Sequence, residues 1–438
     1  MKKVLIVTYY WPPASGPGVQ RWLKFAKYLK EFNWEPIILT VKNGSYVNAD
    51  QELFKDIDPN LKVVKTKTIE PFLIYNALTG KKGKSVEVGM GNLRGKQSFF
   101  KKFSNHIRSN YFVPDARVGW NRYAIPKAIS LVEEEDIDLV ITTGPPHSTH
   151  AIGKVLKDKK SIPWIADFRD PWTSIYYEKY LSRSVKSKAK NEQLENDTIV
   201  FSDALLVVSE GMKSEFEDRC ETIAVIPNGY DEDDMPAKVH EKTDLFKLSY
   251  IGNLKVNQNI QALWNALAEL KAELEGFEKY FRLSFTGNVN EEVKQTISDL
   301  DISDLTEYNA FVKHTEAFRL MAISNLLYLP IPQAENNHLI LTGKIFEYIA
   351  SGSPVIGIGP VHGNASELLK SCNRPGMIDY SDKEGIKECI KDQFTFWKEQ
   401  SGFSKKISDE SYTRYTRKNI TASLAKIMDD TIQKRKNQ

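Results

Sequence analysis

The sequence predicts an α/β protein in two halves, each a parallel sheet built from strands that alternate with helices. Three observations carry this. Residues 4–8 form a continuous, almost wholly apolar run, and 138–143 and 246–251 are short runs with apolar cores, as strands of a buried parallel sheet have. Between them lie segments such as 19–32 and 259–274, whose apolar residues recur at helical spacing. The chain has 438 residues and a mass of 50.0 kDa, more than one ordinary core accommodates. A polar, acidic stretch at 232–243 interrupts the series near its middle.

In chain order, residues 4–8 form the first strand. The loop Tyr9-Tyr10-Trp11-Pro12-Pro13-Ala14-Ser15-Gly16-Pro17-Gly18 follows. A helix over 19–32 then presents Trp22, Leu23, Phe25, Ala26 and Leu29, and 36–41 is the second strand. Gly16 and Gly18 let a ligand approach the backbone at the opening of that helix. The pattern Gly16-x-Gly18-x-x-Arg21 differs from a dinucleotide fingerprint at its third glycine. Lys42, not an acid, follows the second strand, which places a dinucleotide low among the ligands. Residues 61–65 are a third strand.

A helix over 121–135 leads to the strand 138–143 and the turn Gly144-Pro145-Pro146-His147-Ser148-Thr149-His150. Ser148 or Thr149 is expected to cap the next helix. Loops after strand C-termini are where α/β proteins build sites, so His147 is a candidate proton carrier. The strand 163–168 ends in Arg169-Asp170, a charged pair in the same kind of place. Strands at 204–208 and 222–226 complete the first sheet.

Residues 71–113 break the rhythm. Lys81, Lys82, Lys84, Arg94, Lys96, Lys101, Lys102 and Arg108 face one acid, Glu87, and Phe99, Phe100, Phe103, Ile107, Tyr111 and Phe112 interleave with the later charges. Such a segment suits an anionic membrane surface or a solvated insertion. No recognition motif accompanies the charge, so nucleic acid is not expected. Net charge is +3, with 27% charged and 41% hydrophobic residues, the balance of a soluble globular protein. Cys220, Cys372 and Cys389 show neither disulfide nor metal spacing, which fits a reducing cytoplasm. No apolar run is long enough for a membrane span.

In the second half, strand 246–251 is followed by Gly252-Asn253-Leu254-Lys255, a helix over 259–274 and a strand over 281–286. Residues 322–329 run into a strand, and 330–341 are a loop. Thr342-Gly343-Lys344 then opens a short helix. Free N–H groups at its first turn attract phosphate, and Lys344 adds a full charge. Glu347, one turn on, can accept hydrogen bonds from sugar hydroxyls. Gly352 ends this helix before the turn Ser353-Pro354 and a strand over 355–358. Residues 411–428 are a last helix.

The stretch from Glu347 through Gly352-Ser353-Pro354-Val355 resembles the donor-site signature of GT-B glycosyltransferases, particularly the retaining family-4 enzymes. The turn Pro227-Asn228-Gly229-Tyr230-Asp231 is similar to the one that links their two domains. The resemblance implies two Rossmann-like domains facing a cleft. Their ranges would be 1–232 (acceptor side, with the basic insertion at about 71–113) and 233–410 (donor side), with 411–438 a helix crossing back to the first. It implies transfer of a sugar from a nucleotide-diphosphate-sugar to a glycan or lipid-linked hydroxyl, in surface polysaccharide or glycolipid assembly. It implies no cofactor and no required metal, and a place in the cytoplasm or at the inner face of the membrane. The donor-binding set is Gly16, Gly18, Gly252, Asn253, Lys255, Thr342, Gly343, Lys344 and Glu347; His147, Arg169 and Asp170 are the catalytic candidates. Four positions depart from the family pattern. Leu339 stands where a second Glu is usual, Arg169 where a His is, and Asn253 and Gln258 where an Arg and a Lys meet the diphosphate. Leu339, Asn253 and Gln258 keep open a non-catalytic partner in a glycan-assembly complex, and a nucleotide-sugar epimerase on the same fold is the other alternative.

Overall fold

The computed structural model describes residues 1–44, 46, 49–70, 109–175, 178, 181–235, 241–407 and 410–437. Most of the basic–aromatic segment, residues 71–108, lies outside the described residues. The chain divides into two compact units, Met1–Asn228 with Arg417–Gln438, and Gly229–Thr416. The division falls inside the Pro227-Asn228-Gly229 turn.

In the first unit, seven parallel strands stand in the order β3-β2-β1-β4-β5-β6-β7. They are β1 (Lys2–Val7), β2 (Trp34–Val41), β3 (Lys62–Thr66), β4 (Leu139–Gly144), β5 (Trp164–Phe168), β6 (Ala204–Val207) and β7 (Ile223–Val225). The helices α1 (Pro17–Tyr28), α2 (Asn121–Glu134), α3 (His150–Lys160), α4 (Val185–Phe201) and α5 (Glu210–Phe216) connect them. Strand order reverses between β1 and β4, because β1 is followed by β2 on one side and β4 returns to its other side. At such a switch point adjacent loops diverge and leave a crevice at the strand C-termini. Leu5, Val7, Leu39, Val140, Trp164, Ala166 and Leu205 lie within one buried cluster.

The expected helix over 19–32 ends sooner, at Tyr28. Leu29–Phe32 tightens into a 3-10 turn, and Asn33 takes a left-handed φ of 63° before β2. The long C-terminal helix, Arg417–Lys436, packs on α1 in this unit. Its Asp429 accepts a hydrogen bond from Trp34 Nε1 at 3.0 Å and pairs with Lys2. Arg21 and Lys24 of α1 are buried with ion-pair partners of their own, Asp167 and Asp56, each at 2.9 Å.

The second unit has five parallel strands in the order β10-β9-β8-β11-β12. They are β8 (Phe246–Ile251), β9 (Phe281–Thr286), β10 (Thr306–Asn309), β11 (Leu326–Pro330) and β12 (Val355–Ile358). The helices are α6 (Gln261–Glu273), α7 (Phe277–Tyr280), α8 (Glu291–Asp299), α9 (His314–Ile323), α10 (Lys344–Ala350), α11 (Asn364–Ser371) and α12 (Lys383–Glu399), with α13 (Arg417–Lys436) returning to the first unit. Here the switch point lies between β8 and β11. One buried cluster packs α6 and α12 on the sheet, and another packs α9, α10 and α11. Ala322 belongs to α9, not to the strand, which begins at Leu326. The edge strand β10 has no apolar run to announce it, since only two of its four residues are even partly buried.

Candidate functional site

Each unit places its candidate residues at its own switch point. In the first, Gly16 adopts φ 123° at the start of α1, a conformation that favours glycine. Gly18 is required for a different reason. A Cβ there would lie 1.4 Å from a terminal nitrogen of Arg169, so α1 can meet that guanidinium only through a bare backbone. Arg169 in turn is clamped to the loop after β4. Its Nε donates to Thr143 Oγ1 and to the Gly144 carbonyl, both at 3.1 Å, and a terminal N–H donates to the Pro145 carbonyl. Burial pulls its pKa down, against the pull of Asp170 and Asp167. Asp170 itself is exposed.

His147 is buried, with its ring stacked on Trp172 at 4.5 Å and 12°. Its Nδ1 and His150 Nε2 are buried without a hydrogen-bond partner, and each lies 2.6 Å from where a Gly144 Cβ would stand. Thr142 Oγ1 receives the Trp164 indole N–H at 2.8 Å and shares a hydrogen bond with His150 Nδ1, also at 2.8 Å. Burial holds the His147 pKa well below its ordinary value and lowers that of His150 to about 3. Both rings are neutral at physiological pH. The expected cap of α3 does not form. The Thr149 hydroxyl donates backward to the Thr143 and Pro146 carbonyls, and Ser148 bonds Asp115. A 3-10 turn, His147–Thr149, runs straight into α3 and already supplies its helical entry.

In the second unit, Gly252 ends β8 with φ 127°, and a Cβ there would come within 2.7 Å of the Lys344 ammonium. Lys344 Nζ is 2.9 Å from Tyr250 Oη and lies over the Tyr250 ring at 4.5 Å. The Tyr250 hydroxyl donates to the Asn253 carbonyl at 2.9 Å, leaving its lone pairs for the ammonium. The cation is therefore fixed against the β8 loop. Glu347 Oε1 lies 3.3 Å from His314 Nε2 on α9. The helix begins at Lys344, with Gly343 as its flanking residue, φ −59° and ψ −32°. Thr342 Oγ1 is buried without a partner, and a Cβ on Gly343 would meet nothing within 4 Å.

Asn253 and Lys255 are exposed. Gln258 is buried and structural: its Nε2 donates to the Pro330 carbonyl at 3.1 Å, and its Oε1 accepts the Lys255 N–H at 3.1 Å. It ties the β8 loop to the end of β11. Leu339 is half-buried in a 3-10 turn before α10.

Known proteins match this architecture. The family description Glycosyltransferase Family 4 matches residues 85–234. The chain also superposes on solved glycosyltransferase structures. Sucrose-phosphate synthase from Thermosynechococcus elongatus is 11% identical with a TM-score of 0.56, over 100% of this chain and 98% of that one. This is a GT-B fold that resembles the family-4 glycosyltransferases. HepE from Anabaena, solved with UDP-glucose, is 14% identical with a TM-score of 0.54, over 100% of this chain and 99% of that one. The G117R mutant of TarM from S. aureus, solved with Fondaparinux, alpha-GlcNAc-glycerol and UDP, is 13% identical with a TM-score of 0.59, over 99% and 100%. None of the curated proteins matches the chain.

Within this GT-B framework, three residues at the two switch points went unread in the sequence. Asp167 is wholly buried in β5 and accepts hydrogen bonds from Arg21, Trp22 and Thr143. An acid inside the apolar run Trp164–Phe168 was the available signal. Tyr250 reads as one more core aromatic of β8, and nothing in the local pattern announces its hydroxyl. His314 lies 33 residues before Glu347, and only the fold brings the two together.

Proposed function

We propose that this chain is a glycosyltransferase of the hexosyltransferase type. It moves a sugar from a nucleotide-diphosphate-sugar to a hydroxyl of a glycan or lipid-linked acceptor, with retention of configuration. The observation that carries the reading is the Lys344 ammonium held against the Gly252 loop, with Glu347 one turn further along α10. A fixed cation suits a diphosphate, and a carboxylate that distance away suits the hydroxyls of its ribose. In the reaction the bond from the anomeric carbon to the diphosphate oxygen breaks, and a bond to the acceptor oxygen forms. The acceptor proton leaves with the diphosphate or with a nearby base. Lys344 and Lys255 offset the growing charge of the leaving group, so no resident metal is invoked.

On the first unit, Arg169 and His147 are assigned to the acceptor side, with Asp170 at its rim. The basic segment before residue 113 is assigned to an anionic membrane, and the activity to surface polysaccharide or glycolipid assembly at the cytoplasmic face. Among the described residues no helix is long and apolar enough to cross a membrane. Leu339, in place of a second carboxylate, favours one other reading, a nucleotide-binding partner without turnover.

Thermal unfolding with UDP, GDP, ADP and CDP tests the proposal. UDP is the first to try, since HepE and TarM were solved with uridine nucleotides. At a hundredfold excess over Kd, a ligand adds about 2.7 kcal/mol to the stability of the folded state. A shift with one nucleotide and transfer from its sugar conjugate, in the presence of EDTA, are expected. Binding without transfer to any glycan or lipid-linked acceptor identifies the non-catalytic partner, and no shift with any nucleotide refutes both.

A further inference from the structure

Glu347 does not stand alone at the mouth of α10. His314, in the first turn of α9, brings its Nε2 to 3.3 Å from Glu347 Oε1. On the other edge of the ring, Nδ1 lies 4.0 Å from Asp234 Oδ2, in the 3-10 turn Glu232–Asp234. The imidazole is seated edge-to-face on Phe318, 5.0 Å between centroids at 88°. The histidine and both carboxylates belong to one unit, and all three side chains are partly exposed.

We propose that His314 is a positioning residue for Glu347, holding its carboxylate ready for the two vicinal hydroxyls of a ribose. This rests on the reading of Glu347 as the ribose ligand. An ionised carboxylate can only accept, so the ring hydrogen sits on Nε2 and His314 donates. One lone pair of Oε1 is then taken. The remaining lone pairs of the two oxygens are enough for two hydroxyl donors. A glutamate without such a tether samples several rotamers and must be ordered when the ligand arrives. Tethering it beforehand removes that cost from binding. The Phe318 ring, edge-to-face at 5.0 Å, supports the imidazole and stiffens the tether. The selectivity follows: the site favours nucleotides with a ribose diol over those lacking it, and part of the preference is owed to a residue that never touches the ligand.

The experiment is calorimetric titration of the full chain with UDP, GDP, ADP and CDP, then with the 2′,3′-dideoxy form of whichever binds. His314→Leu is expected to weaken the ribonucleotide roughly tenfold and to leave the dideoxy form within about twofold. His314→Gln, which keeps a donor near the Nε2 position, should recover most of the loss. The double variant His314→Leu/Glu347→Gln should bind no more weakly than Glu347→Gln alone. An equal loss on ribose and dideoxy forms, or no loss, overturns the inference. A ribose-specific loss in Glu347→Gln without one in His314→Leu overturns the positioning role and leaves the ribose reading standing. Failure of the wild-type chain to bind any of the four nucleotides overturns both.

Discussion

Asp167→Asn should cost the first unit about 3–5 kcal/mol, the range for breaking a buried ion pair from one side. The arrangement explains why an isosteric change is so costly. Neither Asp167 nor Arg21 has any exposed side chain. Asp167 Oδ1 accepts from Arg21 at 2.9 Å; Oδ2 accepts from Trp22 Nε1 and from the Thr143 hydroxyl, both at 2.8 Å. All three partners are donors, so the carboxylate is saturated by groups that an amide NH2 cannot satisfy. Whichever way the amide turns, a donor faces a donor. If the oxygen serves Trp22 and Thr143, Arg21 keeps only the Pro227 carbonyl at 2.9 Å and its charge is left buried without a counter-ion. The loss is a large fraction of the roughly 5–15 kcal/mol that holds a domain together. Urea denaturation of the full chain, followed by tryptophan fluorescence and circular dichroism, should show an early transition for the first unit and an unchanged one for the second. Replacing both partners, as in Arg21→Met/Asp167→Leu, should cost less than Asp167→Asn alone, since no charge is then left buried. A shift worth under about 1 kcal/mol in Asp167→Asn would refute the reasoning, because it would mean that water reaches Arg21.

Further outcomes can be measured on the same material. Lys344→Met should lower turnover on the order of 10²–10³-fold with little change in nucleoside affinity, and Lys344→Arg should restore only part; near wild-type turnover in Lys344→Met would pass the role to Lys255. His150 is held neutral, with a folded pKa of about 3 against about 6.5 unfolded. The unfolded chain therefore binds the extra proton as pH falls below about 6.5, and stability is lost by up to about 1.4 kcal/mol per pH unit. Denaturation of His150→Gln between about pH 6 and pH 4 should show a shallower slope than wild type; an identical slope would show that the ring does not resist protonation. Anionic vesicles should float the wild-type chain at low salt but not at high salt. A variant lacking Lys101 and Lys102 should float less, and flotation of neither protein would make the segment a solvated insertion.

Much of this architecture was legible in the sequence, because its determinants are local. A strand buried on both faces is marked by an apolar run; β1 has one over Val4–Val7 and β4 over Leu139–Ile141, while Asp167 interrupts the run of β5 and Lys247 and Ser249 that of β8. Glycines at forced positions mark loops at strand ends, and Gly16 and Gly252 carry the positive φ values that require them. The Glu347 stretch and the turn at Pro227 are contiguous motifs and survive without any knowledge of neighbours. Edge strand β10 was not legible, since a half-solvated strand carries no apolar signature. The cap on α3 was misjudged because Ser and Thr hydroxyls also bond carbonyls, and here the Thr143 and Pro146 carbonyls win the Thr149 hydroxyl.

The sequence by itself determined which segments become strands, where the chain changes unit and which loops follow the strand ends. Only the tertiary structure decided which side chains meet there. Gly18 is needed because Arg169 crosses above it, 151 residues away by subtraction of their numbers. Lys344 reaches Tyr250 across 94 residues, and His314 reaches Glu347 across 33. The physical reason is the parallel sheet. Each strand must be carried back by a helix before the next can pair, so loops that become neighbours at a switch point are separated by whole strand–helix units. Local propensity fixes each unit, but the chemistry of the site arises from pairings between units, and no local pattern encodes those.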